Sequence, residues 1–240
     1  LLDQARSISA PSRRAPATPS ARIRVVTLGG FRIERDGKTI EWGRKAPRRP
    51  LEILKLLISQ GEPALSVTML METLWPGEAG PAVRRRLDTA LYRLRRILGE
   101  GVIRSVNGSI ELSARDVEVD AHLFERHGDP DLYTGTFLPD DLHLAWTISM
   151  RESLLGRVQA ILTERPERLA SEGRYAEALR LCEQGIAFHP TGESSYRLAI
   201  RICALAGWRS DGARIYERCR ECLSRELGLR PSRATENQHL

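Results

Sequence analysis

The sequence predicts a mainly α chain with small antiparallel β-sheets: a first half in which short strands flank three helices, and an all-α second half of stacked helix pairs. Three observations carry that expectation. From Ala82 to Gly99 (AVRRRLDTALYRLRRILG), Leu87, Leu91, Leu94 and Leu98 recur at the i, i+4, i+7, i+11 spacing of one helical face. Two-residue turn signals, Asp36-Gly37 and Asn107-Gly108, each separate short β-rich runs. Gly173 and Gly207 lie 34 residues apart in a region whose small residues and Pro fit a two-helix repeat.

Composition limits what such a chain can be. Its 240 residues suit one large or two ordinary domains, and a 41% hydrophobic content is enough for real cores. No run approaches the apolar length that spans a bilayer, and Leu1-Leu2-Asp3 lacks the apolar core of a signal peptide, so a cytoplasmic location is expected. The net charge of +6 favours a polyanionic partner. Its distribution says more. Between 84 and 104 stand seven Arg (84, 85, 86, 93, 95, 96 and 104) against Asp88 and Glu100, and Arg44, Lys45, Arg48 and Arg49 follow one another with no acid between them. Charge concentrated in this way is a footprint of nucleic acid.

In chain order, residues 1–21 are Ser, Ala, Pro and Arg with almost nothing to bury, and read as a disordered linker. The first residue is not Met, so the chain is expected to be a piece of something longer. From Ile23, IRVVTLGGFRIERDGKTIEW alternates over short runs and predicts two or three antiparallel strands. Leu51, Ile53, Leu54, Leu57 and Ile58 form an apolar helical face behind Pro50, a residue tolerated in a helix's first turn. Ser66 caps a second helix, through Leu70, Met71 and Leu74 to Trp75, and Pro76-Gly77 ends it. The Arg-rich helix comes next. Val102–Val106 and Ile110–Leu112 then flank the Asn107-Gly108 turn.

Strands, two helices, a cationic third helix and a hairpin make a winged helix-turn-helix. Opposite its leucines the third helix shows Arg85, Thr89, Tyr92 and Arg96, with Arg93 and Asp88 beside them. Such a face suits the DNA major groove, where guanine offers Arg paired acceptors and phosphates line both walls. Residues near the start of such a helix meet base edges, so Arg85, Thr89 and Tyr92 are the expected base contacts. Arg44, Lys45, Arg48, Arg49, Arg93, Arg96, Arg104 and Asn107 are the expected phosphate contacts, which position a protein without specifying a sequence. The competing interpretation of an Arg run is a solvated face.

At this point the sequence resembles a known family. RLRRILG (93–99), LWPG (74–77) and KAPRRPLEILKLL (45–57) resemble the OmpR-like winged-helix domain of SARP-type bacterial activators, and VEVDAHLFE (117–125) resembles the segment that closes it. YTGTFLPDD (133–141), Trp146, Arg151-Glu152 and ELGLRPSRAT (226–235) resemble the family's bacterial transcriptional activator domain, an all-helical module related to tetratricopeptide repeats. The likeness covers about 22–236. It implies a winged-helix domain at 22–126 and a TPR-like domain at 127–240. It further implies a sequence-specific activator in the bacterial cytoplasm, on the nucleoid, whose partners are double-stranded promoter DNA, RNA polymerase and further copies of itself as a homodimer or higher oligomer. KAPRRPLEI and RIYERCRECL look closest to large regulators in which an ATPase precedes this pair. One departure stands in the wing, where the family often has Gly-Tyr after the turn and this chain has Ser109.

The second half supports this assignment from its own residues. Gly173-Arg174-Tyr175-Ala176-Glu177-Ala178, Cys182, Gly185 and Pro190 fit the second half of a repeat, and Ala213, Tyr216, Cys219 and Leu223 continue the apolar face after Gly207. Earlier helices are expected around Leu144, Trp146, Ile148, Leu154, Leu155, Val158, Ile161 and Leu162. No catalytic residues, metal ligands or cofactor are expected. The five His are scattered, Asp140-Asp141 has no partner base, no G-x-x-x-x-G-K-[ST] loop is present, and Cys219-x-x-Cys222 lacks a second pair. The alternative to a DNA-binding activator is a TPR-like signalling adaptor whose winged helix binds protein. Because residues 1–21 carry no periodic apolar face, a chain starting at Arg22 should melt at the full-length temperature and bind the same DNA. A drop of several degrees would show that the segment is docked.

Overall fold

The computed structural model describes residues 23–43, 46–61 and 64–239, so the expected linker, Arg44 and Lys45 lie outside the described residues. Ile23–Val26 (β1), Arg32–Arg35 (β2) and Lys38–Thr39 (β3) form an antiparallel meander. Asp36 and Gly37, at φ 50° and 76°, make the tight turn that the sequence announces. A fourth strand joins the other edge of β1. It is Val117–Val119 (β7), and it runs parallel to β1, 90 residues further along the chain. The sequence does not reveal this parallel pair, because three residues are too few for an alternation to register.

Arg48–Ser59 (α1) begins two residues before Pro50, whose missing N–H is still harmless in the first turn. Leu65–Ser66 (β4) leads into Val67–Leu74 (α2), where the Ser66 hydroxyl accepts the Met69 N–H at 3.1 Å. Pro81–Leu98 (α3) starts on a proline and buries Val83, Leu87, Ala90, Leu91, Leu94 and Leu98 against α1 and α2. Ile103–Val106 (β5) and Ser109–Leu112 (β6) then form the hairpin, with Asn107 at φ 48° and Gly108 at φ 75°. These are the parts of a winged helix. The hairpin is held close, since β6 pairs with β4 and the Gly108 carbonyl accepts the Val67 N–H at 3.0 Å.

Asp120–His127 (α4) carries the chain into the second half. There Tyr133–Asp141 returns to the first sheet. Leu138 N–H donates to the Thr27 carbonyl at 2.8 Å and Gly29 N–H to that of Thr136 at 3.0 Å. The backbones touch: a Cβ on Gly135 would lie 2.8 Å from the Gly29 Cα. Only glycine fits there, so Gly29 and Gly135 serve packing as well as turning. The buried Phe137 and Leu138 join both halves into one continuous core. Lys55 of α1 pairs with Asp141, both largely covered, and lies over the Phe31 ring. Asp141 thus has a structural partner that the sequence does not show.

The helical half comprises Ile148–Ser171 (α5), Tyr175–Phe188 (α6), Glu193–Ala206 (α7), Arg209–Leu227 (α8) and Arg233–His239 (α9). Each of α5 to α8 packs on the next. Gly173 and Gly207 both stand at φ 76° just beyond a helix end, and the following residues repeat the same bonds: Arg174 N–H to Leu169, Trp208 N–H to Cys203. The 34-residue period is therefore a period of backbone hydrogen bonding. α9 closes the stack. The Glu193 carboxylate accepts from Ser232 N–H at 2.9 Å, from Ser232 Oγ at 2.7 Å and from the fully buried Thr235 hydroxyl. Burial opposes its charge, and these bonds outweigh burial to hold it below the usual carboxylate range.

One expectation needs correcting. Residues 148–171 make a single long helix, and of its apolar residues Ile148 and Leu155 are exposed rather than core. They lie seven residues apart, on one exposed side of α5. The expected leucine stripe of α3 is where the sequence puts it, with Leu94 fully buried. Leu94→Ala should cost about 2–5 kcal/mol of stability, read as a lower midpoint in urea. An unchanged midpoint would mean that the stripe is not the core of the first half.

Candidate nucleic-acid interface

α3 presents a wet face because its buried residues fall on one side of an 18-residue helix about 27 Å long. Arg85, Thr89, Tyr92, Arg93 and Arg96 are all on the exposed side, with Tyr92 59% accessible. The helix start carries no acid, so its unpaired N–H groups add positive potential there.

The structure sorts the seven arginines of 84–104 into two kinds. Four are engaged. Arg84 pairs with Asp88 one turn on, and Arg86 with Glu78 in the α2–α3 turn. Arg95 donates from Nε to the Ile103 carbonyl at 3.1 Å and from Nη2 to Ser105 Oγ at 2.7 Å. Arg104 leans on Asp116 at 3.6 Å and on the Gly101 carbonyl. Arg85, Arg93 and Arg96 have no carboxylate partner among the described residues. Free guanidiniums on one exposed face are what a phosphate or a guanine edge requires.

The remaining expected contacts are less uniform. The Thr89 hydroxyl donates to the Arg85 carbonyl at 2.8 Å, which leaves its oxygen lone pair and methyl group to face outward. Asn107 is exposed at the tip of the hairpin, next to Val106, which is 45% accessible. Arg48 and Arg49 start α1 and share Glu52, at 2.8 and 2.6 Å, and Arg49 also lies over the Trp75 ring. Exposed pairs of this kind are weak and exchangeable, so they lower the free charge of the patch without removing the cations.

Sequence reasoning misses Arg95. It sits in the same RLRR run as Arg93 and Arg96, and only the fold shows that it ties α3 to β5. The cysteines of the second half are buried. Burial pushes the Cys182 thiol up to about 12 and that of Cys219 up to about 11, which leaves both unreactive. Among the described residues no three His, Cys, Asp or Glu gather as a metal site would need, and no helix is long and apolar enough to cross a membrane.

The chain thus joins a winged helix with a cationic third helix to a stack of helix pairs. Residues 107–240 match the bacterial transcriptional activator domain, and the chain belongs to that family. It is 27% identical over 251 aligned residues to the regulatory protein AfsR of Streptomyces coelicolor, across 92% of this chain and 25% of AfsR. The chain thus spans a quarter of that relative's length. In fold it is similar to EmbR of Mycobacterium tuberculosis, solved in complex with a low-affinity phosphopeptide. The TM-score is 0.55 at 18% identity, over 91% of this chain and 64% of that one.

The Arg95 bridge yields a local test. Arg95→Met keeps the aliphatic stem and removes both bonds, worth about 0.5–1.5 kcal/mol each. Hydrogen exchange should quicken along β5 and β6 while α3 keeps its protection. Uniform acceleration through the first half would show that Arg95 supports the whole fold rather than the hairpin.

Proposed function

We propose that this activator binds double-stranded promoter DNA in a sequence-specific way, with α3 in the major groove and the β5–β6 hairpin against the adjoining backbone. The observation that carries the proposal is the free set Arg85, Arg93 and Arg96, which shares one exposed face with Tyr92 and is backed by a buried leucine seam. Arg85, Thr89 and Tyr92 read bases, and Arg93, Arg96 and Asn107 hold phosphates. Arg44, Lys45, Arg48, Arg49 and Arg104 are further phosphate contacts. The helical part, which we take as 127–240, serves RNA polymerase contact or self-association, and the exposed Leu142, Ile148 and Leu155 are available to such a partner.

Arg85 and Arg96 stand about 16 Å apart along the helix axis. Only the first end reaches the groove floor. Arg85→Ala should therefore lose about 1–3 kcal/mol on the specific site and much less on random DNA. Arg96→Ala should weaken both DNAs alike and flatten the log-affinity against log-salt slope by about one. Both variants should keep the wild-type melting temperature. Equal effects of the two changes on both DNAs would refute the division of roles. A wild-type chain with no salt-dependent DNA binding would leave the protein-binding adaptor in its place.

A further inference from the structure

Along α3 the cations used so far end with Arg96, but the positive surface continues beyond the helix. Arg35, at the end of β2, donates from Nη2 to the Ile97 carbonyl in the last turn of α3. Peptide dipoles leave partial negative charge at that end of a helix, and the guanidinium cancels what would otherwise repel phosphate. Lys38 is directly opposite Arg35 across the β2–β3 hairpin, so both side chains leave the same face of the sheet. Further along β2 and β1 that face carries the buried Ile33, Ile23 and Val25. At the hairpin it runs out of cover, and Arg35 and Lys38 are both exposed.

Arg93 stands one turn before Ile97 and so lies on the same side of α3 as the Arg35 contact. Arg93, Arg35 and Lys38 thus form a line that leaves the recognition helix and continues onto the hairpin. Exposed Glu100 follows α3 by two residues and makes no ion pair with Arg35 or Lys38 among the described residues. Glu34 points to the opposite face and pairs with Arg32 at 2.9 Å, and Asp36 sits in the turn itself. Among the described residues neither Arg35 nor Lys38 has a carboxylate within ion-pair distance. The major groove is only about 12 Å wide, so the far end of a helix lying in it stands over the groove wall, where the phosphates of one strand pass.

We propose that Arg35 and Lys38 form a second phosphate-binding patch, which grips the DNA backbone flanking the base pairs read by α3. This rests on the DNA-binding function proposed above. The test uses the 240-residue chain and two duplexes with the sequence it selects from a random pool. One duplex ends at the limits of the protected core, and the other extends it by one helical turn, about 10 base pairs, on each side. K38Q should bind the longer duplex about three- to tenfold more weakly than wild type, with a salt slope lower by about one, and should match wild type on the shorter. R35Q should show the same preference for loss on the longer duplex. If K38Q loses equally on both duplexes, or loses on neither while R85A still loses discrimination, the patch is refuted and DNA binding stands. If wild type binds neither duplex in a salt-dependent way, DNA binding itself fails and the patch with it.

Discussion

The buried carboxylate of Asp120 is the point on which both halves turn. It is 4% exposed and accepts four donors: Thr27 N–H at 2.8 Å, Thr27 Oγ at 2.6 Å, Leu28 N–H at 3.0 Å and Ala121 N–H at 2.8 Å. A charge so far from water is tolerable only when it is fully hydrogen-bonded. Its donors come from the exit of β1 and the start of α4, so the bonds fix where the sheet ends and at what angle the chain leaves for the second half. Each donor left without its acceptor would cost about 1–3 kcal/mol. The neighbouring seam of Thr27, Leu28 and Gly29 with residues 134–138 is built on that fixed exit.

From there the arrangement passes to α3 through α1. α1 packs on α3 at one side, and through Lys55 it meets Asp141 of the second half. His122 of α4 bonds the Ile58 carbonyl in the last turn of α1, at 2.9 Å. Tyr133 packs between Phe124 of α4 and Phe188 of α6, its ring tilted to the first and edge-on to the second, with ring centres 5.3 and 5.4 Å away. The helix that backs the candidate DNA-reading face is thus the one to which the helical half is tied. Through these contacts the two halves share one core.

What the sequence disclosed was local. The leucine spacing of α3, the Ser66 cap, the two turns with positive φ and the 34-residue glycine interval all depend on residues close in the chain, and all are present in the structure. What it concealed was long-range. The parallel β1–β7 pair, the donors of Asp120 and the Lys55–Asp141 contact join residues some 90 positions apart, and no short pattern encodes them. The arginines show the same division within a single run. Periodicity tells which face of α3 is wet, but not that Arg95 is drawn to β5 while Arg93 and Arg96 stay free. Likewise the apolar character of Ile148 and Leu155 could be read, whereas the side of α5 left exposed could not.

The tie between α1 and the helical half has a geometric consequence. On the DNA-binding function proposed above, contacts that hold the helical half beside α1 would point it in one direction around the duplex axis. B-DNA turns once in about 10.5 base pairs, so moving the bound site by half a turn would carry the helical half to the opposite side of the DNA. A partner waiting at a fixed place on the promoter would then be out of reach although binding itself was undiminished. On that proposal, the distance between the bound site and a partner on the promoter would count in whole turns of the double helix.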